Sequence, residues 1–150
     1  MFWGEDKVKR RFTFDEVHAR VSVLAQALTA AGIEPGDRVA GYLPNMPETI
    51  IAMLAASSLG AVWSSCSPDF GVTGVLDRLS QLGPKVLFAA DGYRYNGKRH
   101  DSLEKTAAIV AGLTGLEIVA IIPYGDEAPD HPLVPRALAL DDFTRPLRPA

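Results

Sequence analysis

Short apolar runs alternate with longer segments of helical period along most of this chain, and this alternation constrains the fold more than any other feature. Strands are predicted at residues 38–43, 61–63, 85–90 and 117–122, and helices at residues 14–31, 48–59, 72–82 and 101–111. Strands and helices that alternate through short turns predict an α/β fold, with a mostly parallel sheet and helices on both faces. Ligands are then expected at the carboxyl ends of the strands.

Local signals define the first two helices. Thr13 and Glu16 fit a capping box, so the first helix is predicted to start there, and it ends at Gly32. Its apolar positions recur at helical spacing and are expected to face a core: Phe14, Val17, Val21, Leu24, Leu28 and Ala31. The helix at residues 48–59 is apolar nearly all round, which indicates burial on more than one side.

Composition narrows the class of protein. A formal net charge of -3 gives no general attraction to nucleic acid or to an anionic membrane, so any anion site must come from a local basic cluster. Cys66 is the only cysteine, which excludes an internal disulfide and a Cys-rich metal site and favours a reducing cytoplasm. No apolar run reaches the roughly 18 residues of a membrane span, so a soluble protein is expected.

One segment approaches a phosphate-binding motif. Gly92 to Lys98 fits the G-x-x-x-x-G-K core of a P-loop and follows a predicted strand. The fit fails at the next position, because Arg99 stands where a Ser or Thr hydroxyl would hold magnesium. The next helix begins some residues later, so its N-terminal amides would not cradle a phosphate. A true P-loop is therefore not expected.

The same segment still concentrates positive charge, through Arg94, Lys98 and Arg99, at the carboxyl end of a predicted strand. Arginine presents a planar fork to phosphate, lysine presents a point charge, and a tyrosine ring offers a face to a base. On residue chemistry alone, a solvated basic loop and an anion-binding site both remain open.

No other residues form a recognisable catalytic or metal-binding constellation. The serines near Cys66 lack a G-x-S-x-G elbow and a base in register, so residues 64–68 are interpreted as a small-residue loop beside the sheet. Asp141 and Asp142 are interpreted as hydrated charges. The histidines lack metal-ligand spacing: His18 is expected to face solvent, His100 to lie near a helix start and His131 in the tail.

Three segments strongly resemble the adenylate-forming acyl-CoA synthetase family, in one unbroken order: residues 36–48 (GDRVAGYLPNMPE), 60–71 (GAVWSSCSPDFG) and 84–93 (PKVLFAADGY). The third is similar to the acetoacetyl-CoA synthetase group of that family in particular. The resemblance covers about residues 3–124. It implies that residues 1–124 are part of an N-terminal α/β subdomain. The proline-rich residues 125–150 then form an extended connection toward a phosphate loop.

The resemblance also implies a reaction. The family activates a carboxylic acid with ATP and Mg²⁺ to an acyl-adenylate and then transfers the acyl group to CoA. In the family pattern, the phosphate loop, the adenine-binding segment, the ribose-binding aspartate and the catalytic lysine would all lie beyond Ala150. No catalytic or metal-binding residue is therefore assigned to this chain. The remainder of the same polypeptide is its expected partner.

Part of a CoA site is what the resemblance assigns to this chain. By similarity to acetyl-CoA synthetases, Arg94 and either Gly97 or Lys98 would meet the phosphorylated nucleotide end of CoA, with Phe70 and Gly71 nearby. Two functions remain open: a fragment of an acetoacetate:CoA ligase, or a non-catalytic α/β module that binds a phosphorylated ligand through residues 92–98.

Overall fold

Helices and strands alternate throughout the part of the chain that the computed structural model describes, residues 2–3, 9–125 and 133–145. The helices are α1 (Phe14–Ala30), α2 (Pro47–Ser58), α3 (Val72–Leu82), α4 (Leu103–Gly112) and α5 (Leu140–Thr144). The strands are β1 (Phe2–Trp3), β2 (Lys9–Arg10), β3 (Arg38–Tyr42), β4 (Val62–Cys66), β5 (Val86–Ala90), β6 (Gly92–Tyr95), β7 (Lys98–Asp101), β8 (Ile118–Ile122) and β9 (Ala137–Ala139).

A five-stranded sheet with the order β4-β3-β5-β8-β9 forms the centre of the fold. Every neighbouring pair of its strands is parallel, with Tyr42 opposite Ala89 at the end of the β3–β5 ladder. Two antiparallel pairs, β1–β2 and β6–β7, are separate from it. The predicted mostly parallel sheet is confirmed.

Helices cover both faces of the sheet, as predicted. Successive side chains of a strand point to opposite faces, so each strand contributes to two hydrophobic cores. Phe88 belongs to the core shared with α1 and α2, and Phe143 of α5 packs against the same core. The neighbouring Leu87 belongs to the other core, which α3 and α4 cover through residues such as Val75 and Ile109. The central strand β5 is buried along its whole length, as expected of a parallel strand with helices on both sides.

The predicted start of α1 is confirmed, with one error. The Thr13 hydroxyl accepts a hydrogen bond from the Glu16 backbone N–H, and the Glu16 carboxylate accepts one from the Thr13 N–H at 2.7 Å. This reciprocal pairing satisfies donors that the first helical turn leaves without partners. Phe14 was predicted to face a core but is 95% exposed, because the helix points its first residue outward.

The expectation that α2 is buried on more than one side agrees with its contacts to the sheet and to α1, but its outer surface is partly exposed. Ile51, Ala52, Ala55 and Ala56 are buried against the sheet and α1. Ile50 and Leu54 lie on another face of the helix and are 46% and 41% exposed. The apolar residues on all sides of α2 predicted more burial than this helix has in the described part of the chain.

Two predicted loops contain regular structure. Ser64 to Cys66 are not part of a loop, because they continue β4, which forms an edge of the parallel sheet. The predicted extended connection after residue 124 includes β9, which pairs in parallel with β8, and the short helix α5. The domain boundary at residue 124 stays a prediction.

Candidate functional site

The site predicted from the sequence lies at the carboxyl-end edge of the parallel sheet. In chain order the sheet strands follow the pattern 2-1-3-4-5, so the strand order reverses direction between β3 and β5. In open α/β sheets such a reversal leaves a crevice beyond the carboxyl ends of the two strands, where ligands commonly bind. Tyr42 ends β3 and Asp91 directly follows β5. These two residues position the loops that carry the predicted site.

Tyr42 holds the loop that follows β4. Its side chain is fully buried, and its hydroxyl lies 2.9 Å from the Pro68 carbonyl oxygen and 3.1 Å from that of Phe70. Burial, with smaller contributions from Tyr93, Asp69 and Cys66, raises the pKa of Tyr42 to about 12. The phenol therefore keeps its proton at neutral pH and remains a donor to the loop.

Residues 92–101 form an antiparallel hairpin of β6 and β7, a structure that the sequence reasoning missed. Asn96 and Gly97 occupy the two-residue turn with φ values of 51° and 72°. Positive φ at both central positions is the type I′ geometry, for which Asn-Gly is the strongest sequence signal. This hairpin supports the rejection of a P-loop, because a P-loop leads into a helix whereas Lys98 begins a strand.

Asp91 anchors the base of the hairpin. Its carboxylate is buried, and Oδ1 accepts a hydrogen bond from the Tyr124 backbone N–H at 2.8 Å. Oδ2 lies 3.4 Å from a guanidinium nitrogen of Arg99. The Asp91 backbone N–H donates to Ile122, and its carbonyl accepts from Ser102. One residue thus links the end of β5, the hairpin and the segment after β8.

The hairpin separates two of the predicted site residues. Arg94 is paired with Arg99, and Tyr95 is paired with Lys98. Residues opposite each other in an antiparallel pair project from the same face, and successive residues project from opposite faces. Arg94 and Lys98 therefore lie on opposite faces of the hairpin, whereas Gly97 lies in the turn that connects them.

The other predicted residues lie in the loop that Tyr42 holds. Phe70 is 48% exposed, and the guanidinium carbon of Arg78 lies 5.6 Å from the centre of its ring. Gly71 is the N-cap of α3, and a Cβ added there would meet nothing within 4 Å. Both lie after the carboxyl end of β4, so the sheet brings this loop and the hairpin to the same edge.

The remaining candidates have structural positions. His18 is exposed on α1, as predicted. His100 lies in β7 and stacks on Tyr93 at a centroid distance of 5.1 Å. Asp101 rather than His100 serves the start of α4, because its carboxylate accepts the Leu103 N–H at 2.8 Å. His131 lies outside the described residues. Asp142 of the aspartate pair forms a salt bridge with Arg145.

A pocket of about 290 Å³ lies away from the predicted residues, between α1, α2, β8 and α5. Its wall is mostly apolar, with Glu48 among the polar groups. Arg10 binds both carboxylate oxygens of Glu48, at 2.6 and 3.0 Å, and Arg20 approaches to 3.9 Å. Paired arginine contacts of this kind hold the chain before α1 against the start of α2.

A comparison with protein families decides the family. The sequence profile described as AMP-binding enzyme matches residues 3–143. The chain belongs to the AMP-binding enzyme family. No helix among the described residues of this family member is long and apolar enough to cross a membrane.

Several proteins similar to this chain are named acetoacetyl-CoA synthetase. The acetoacetyl-coenzyme A synthetase of Rhizobium meliloti (strain 1021) is 54% identical over 144 residues, which are 95% of this chain and 22% of that protein. The acetoacetyl-CoA synthetase of Rattus norvegicus is 49% identical over 142 residues, 93% of this chain and 21% of that protein. The chain spans about a fifth of the length of these curated relatives.

A solved structure agrees in fold. The acetoacetyl-CoA synthetase from Streptomyces lividans superimposes with a TM-score of 0.81 at 46% sequence identity, over 90% of this chain and 20% of that one. The α/β fold predicted from the alternation of strands and helices is therefore also the fold of a family member. The comparisons do not support the alternative of a non-catalytic module.

Proposed function

We propose that this chain supplies part of an acetoacetate:CoA ligase, which activates acetoacetate with ATP and transfers it to CoA through an acyl-adenylate. The observation that carries the proposal is the 54% identity to an acetoacetyl-coenzyme A synthetase over 95% of the chain. The likeness to the Streptomyces lividans synthetase supports it independently through the fold. Mg²⁺ beside the ATP phosphates and a cytoplasmic location belong to the same proposal.

In this proposal, the chain contributes structural support and a contact to CoA, whereas other segments carry out adenylation and acyl transfer. No catalytic residue is assigned here. The remainder of a longer polypeptide would supply the ATP phosphate loop and the catalytic lysine. The outer face of α2 supports such a partner, because Ile50 and Leu54 are about half exposed. Exposed apolar groups on a helix commonly mark a surface that packs against further protein.

The proposed CoA contact combines the hairpin and the neighbouring loop. Arg94 is half-buried in β6, whereas Gly97 in the turn and Lys98 on the opposite face of the hairpin are exposed. Phe70 and Gly71 lie at the same edge of the sheet, where a glycine lets a ligand approach the backbone closely. A guanidinium suits the phosphorylated nucleotide end of CoA, because its planar fork can donate two hydrogen bonds to one phosphate.

The first experiment is to read the coding sequence after the Ala150 codon and to assay the longest product. A Ser/Thr/Gly-rich phosphate loop in the same reading frame, with acetoacetate- and CoA-dependent release of AMP, is the expected result. The chain of 150 residues alone should form no acyl-adenylate above a heat-killed control. Adenylate formation by this chain alone would refute the assignment of the chemistry to other segments.

The CoA contact has its own test in the complete ligase. Arg94→Glu should weaken the use of CoA about tenfold to a hundredfold, since a charge-assisted contact is worth roughly 1.5–3 kcal/mol. ATP–pyrophosphate exchange with acetoacetate should be unchanged, because CoA acts only after adenylation. If both half-reactions weaken equally, or if neither changes, then Arg94 does not contact CoA and the hairpin has a structural role.

A further inference from the structure

The buried phenol of Tyr42 fixes the orientation of two peptide groups in the loop after β4. Its hydroxyl lies 2.9 Å from the Pro68 carbonyl oxygen and 3.1 Å from the Phe70 carbonyl oxygen. In a trans peptide group the C=O and the N–H point in opposite directions, and the described peptide bonds are all trans. The N–H groups that follow these two carbonyls, those of Asp69 and Gly71, therefore point away from Tyr42.

These two N–H groups are available to a ligand. Neither of them donates a hydrogen bond to another residue that the structure describes. The N–H of Phe70, which lies between them, is used within the loop and donates to the Ser67 carbonyl at 3.1 Å. Gly71 also adds no side chain that would cover its own N–H. The side of the loop that faces away from Tyr42 therefore presents two main-chain donors for ligand oxygen atoms.

The orientation of the second donor depends on the Tyr42 hydroxyl in particular. The Pro68 carbonyl oxygen also has Nζ of Lys105 at 3.5 Å, whereas the described residues offer the Phe70 carbonyl no donor besides Tyr42. Without the hydroxyl, the Phe70 carbonyl would gain a hydrogen bond by turning toward water. Because the peptide group is rigid, that rotation would move the Gly71 N–H away from its present direction.

We infer that Tyr42 is a positioning residue for CoA, because its hydroxyl holds the N–H groups of Asp69 and Gly71 toward the side from which CoA approaches the loop. This inference rests on the proposed contact of Phe70 and Gly71 with CoA. Groups that are held in their binding orientation before a ligand arrives lose less entropy on binding. Tyr42 acts only through the loop, since its own side chain is fully buried in the interior strand β3.

The test removes the hydroxyl and keeps the ring. In the complete ligase, Tyr42→Phe should raise KM for CoA about threefold to tenfold, as expected for the loss of one neutral hydrogen bond. The turnover number at saturating CoA and ATP–pyrophosphate exchange with acetoacetate should stay unchanged. Thr106→Val is the matched control, because the buried Thr106 hydroxyl also donates to a main-chain carbonyl, at 2.9 Å, but within α4. It should leave KM for CoA unchanged.

A third variant, Gly71→Val, separates this inference from the proposed function. Gly71 has an ordinary φ of −68°, and a Cβ added there meets nothing within 4 Å, so the variant should fold. Its side chain would obstruct a ligand at the loop and should raise KM for CoA. If it does so and Tyr42→Phe does not, then only the positioning role is wrong.

Two further outcomes would overturn the inference. If Tyr42→Phe weakens pyrophosphate exchange and CoA use by the same factor, or if Thr106→Val raises KM for CoA equally, then the Tyr42 hydroxyl has a structural role only. If Gly71→Val leaves KM for CoA unchanged, then the proposed contact of this loop with CoA is wrong and the inference fails with it.

Discussion

The parallel sheet and the β6–β7 hairpin meet at Asp91 but depend on different interactions. The central strand β5 is buried on both faces, and its side chains contribute to two hydrophobic cores. The hairpin is largely exposed, and a two-residue turn and contacts of one buried carboxylate define its position. Burial of apolar surface therefore specifies the sheet, whereas backbone geometry and polar contacts specify the hairpin.

The largest expected effect is in the sheet. Phe88→Ala should lower the free energy of unfolding by about 3–5 kcal/mol, because it removes a large buried side chain and leaves a cavity. Phe88 is fully buried, and its ring meets that of Phe143 edge-on at 6.3 Å. Phe14→Ala is the matched control, since Phe14 is 95% exposed. Denaturant unfolding of the unmodified protein and of the two variants measures these free energies. If both variants lose the same free energy of unfolding, then burial of Phe88 does not stabilise the sheet.

The junction of the two regions should be less sensitive. Asp91→Ala should lower the free energy of unfolding by about 1–3 kcal/mol, because the buried Tyr124 N–H loses an acceptor. Asp91→Asn keeps an acceptor oxygen for that N–H, so it should lose less. The lost contact with Arg99 should contribute little to the destabilisation by Asp91→Ala, because the Arg99 side chain is 46% exposed. Equal stability of Asp91→Ala and the unmodified protein would show that the carboxylate does not anchor the hairpin.

The hairpin turn gives a smaller effect of known sign. Gly97→Ala should destabilise the protein by roughly 1 kcal/mol, because Gly97 has a φ of 72° and a side chain is strained in that region. Gly74→Ala makes the same change inside α3, where an added Cβ meets nothing within 4 Å. It should stabilise by about 0.5–1 kcal/mol, since alanine favours a helix. Thermal unfolding shows whether each substitution raises or lowers the stability. If Gly97→Ala raises it, then Gly97 does not have a positive φ in the turn.

The same contrast explains what the sequence could predict. Helix α3 was predicted with the bounds that the structure gives it, because apolar residues at helical spacing end at a glycine. The hairpin was not predicted although Asn96-Gly97 is a strong turn signal, because the overlapping G-x-x-x-x-G-K pattern is typical of a phosphate-binding loop. Strand β9 was missed because three half-buried residues at a sheet edge carry little periodicity.

The candidate site was predictable only in part. Its place beyond the carboxyl ends of the strands followed from the predicted parallel sheet, and the basic residues were visible in the sequence. Tyr42 was missed because its hydroxyl contacts lie 26 and 28 residues away along the chain. The separation of Arg94 from Lys98 depends on the register of the hairpin, since a shift by one residue moves every side chain to the other face.

The smallest expected effect concerns the opposite end of the sheet, where neither a buried core nor a hairpin is involved. The Lys85 ammonium, at 2.8 Å, is the main cause that lowers the pKa of Asp37 below 3.8, and Asp37 raises the pKa of Lys85 above 10.5. Asp37 therefore adds stability above pH 3.8 that is lost as the pH falls through its lower folded pKa. Lys85 adds stability below pH 10.5 that is lost as the pH rises through its higher folded pKa.

The contribution of this ion pair to the denaturant midpoint of the unmodified protein should therefore be constant around neutral pH. It should decrease as the solution becomes strongly acidic or strongly basic. Asp37→Asn should remove part of both declines and change stability little, because ion pairs near the surface contribute weakly. If Asp37→Asn destabilises the protein as much as Asp91→Ala, then the ion pair matters as much as the buried carboxylate, and the distinction between the two polar contacts fails.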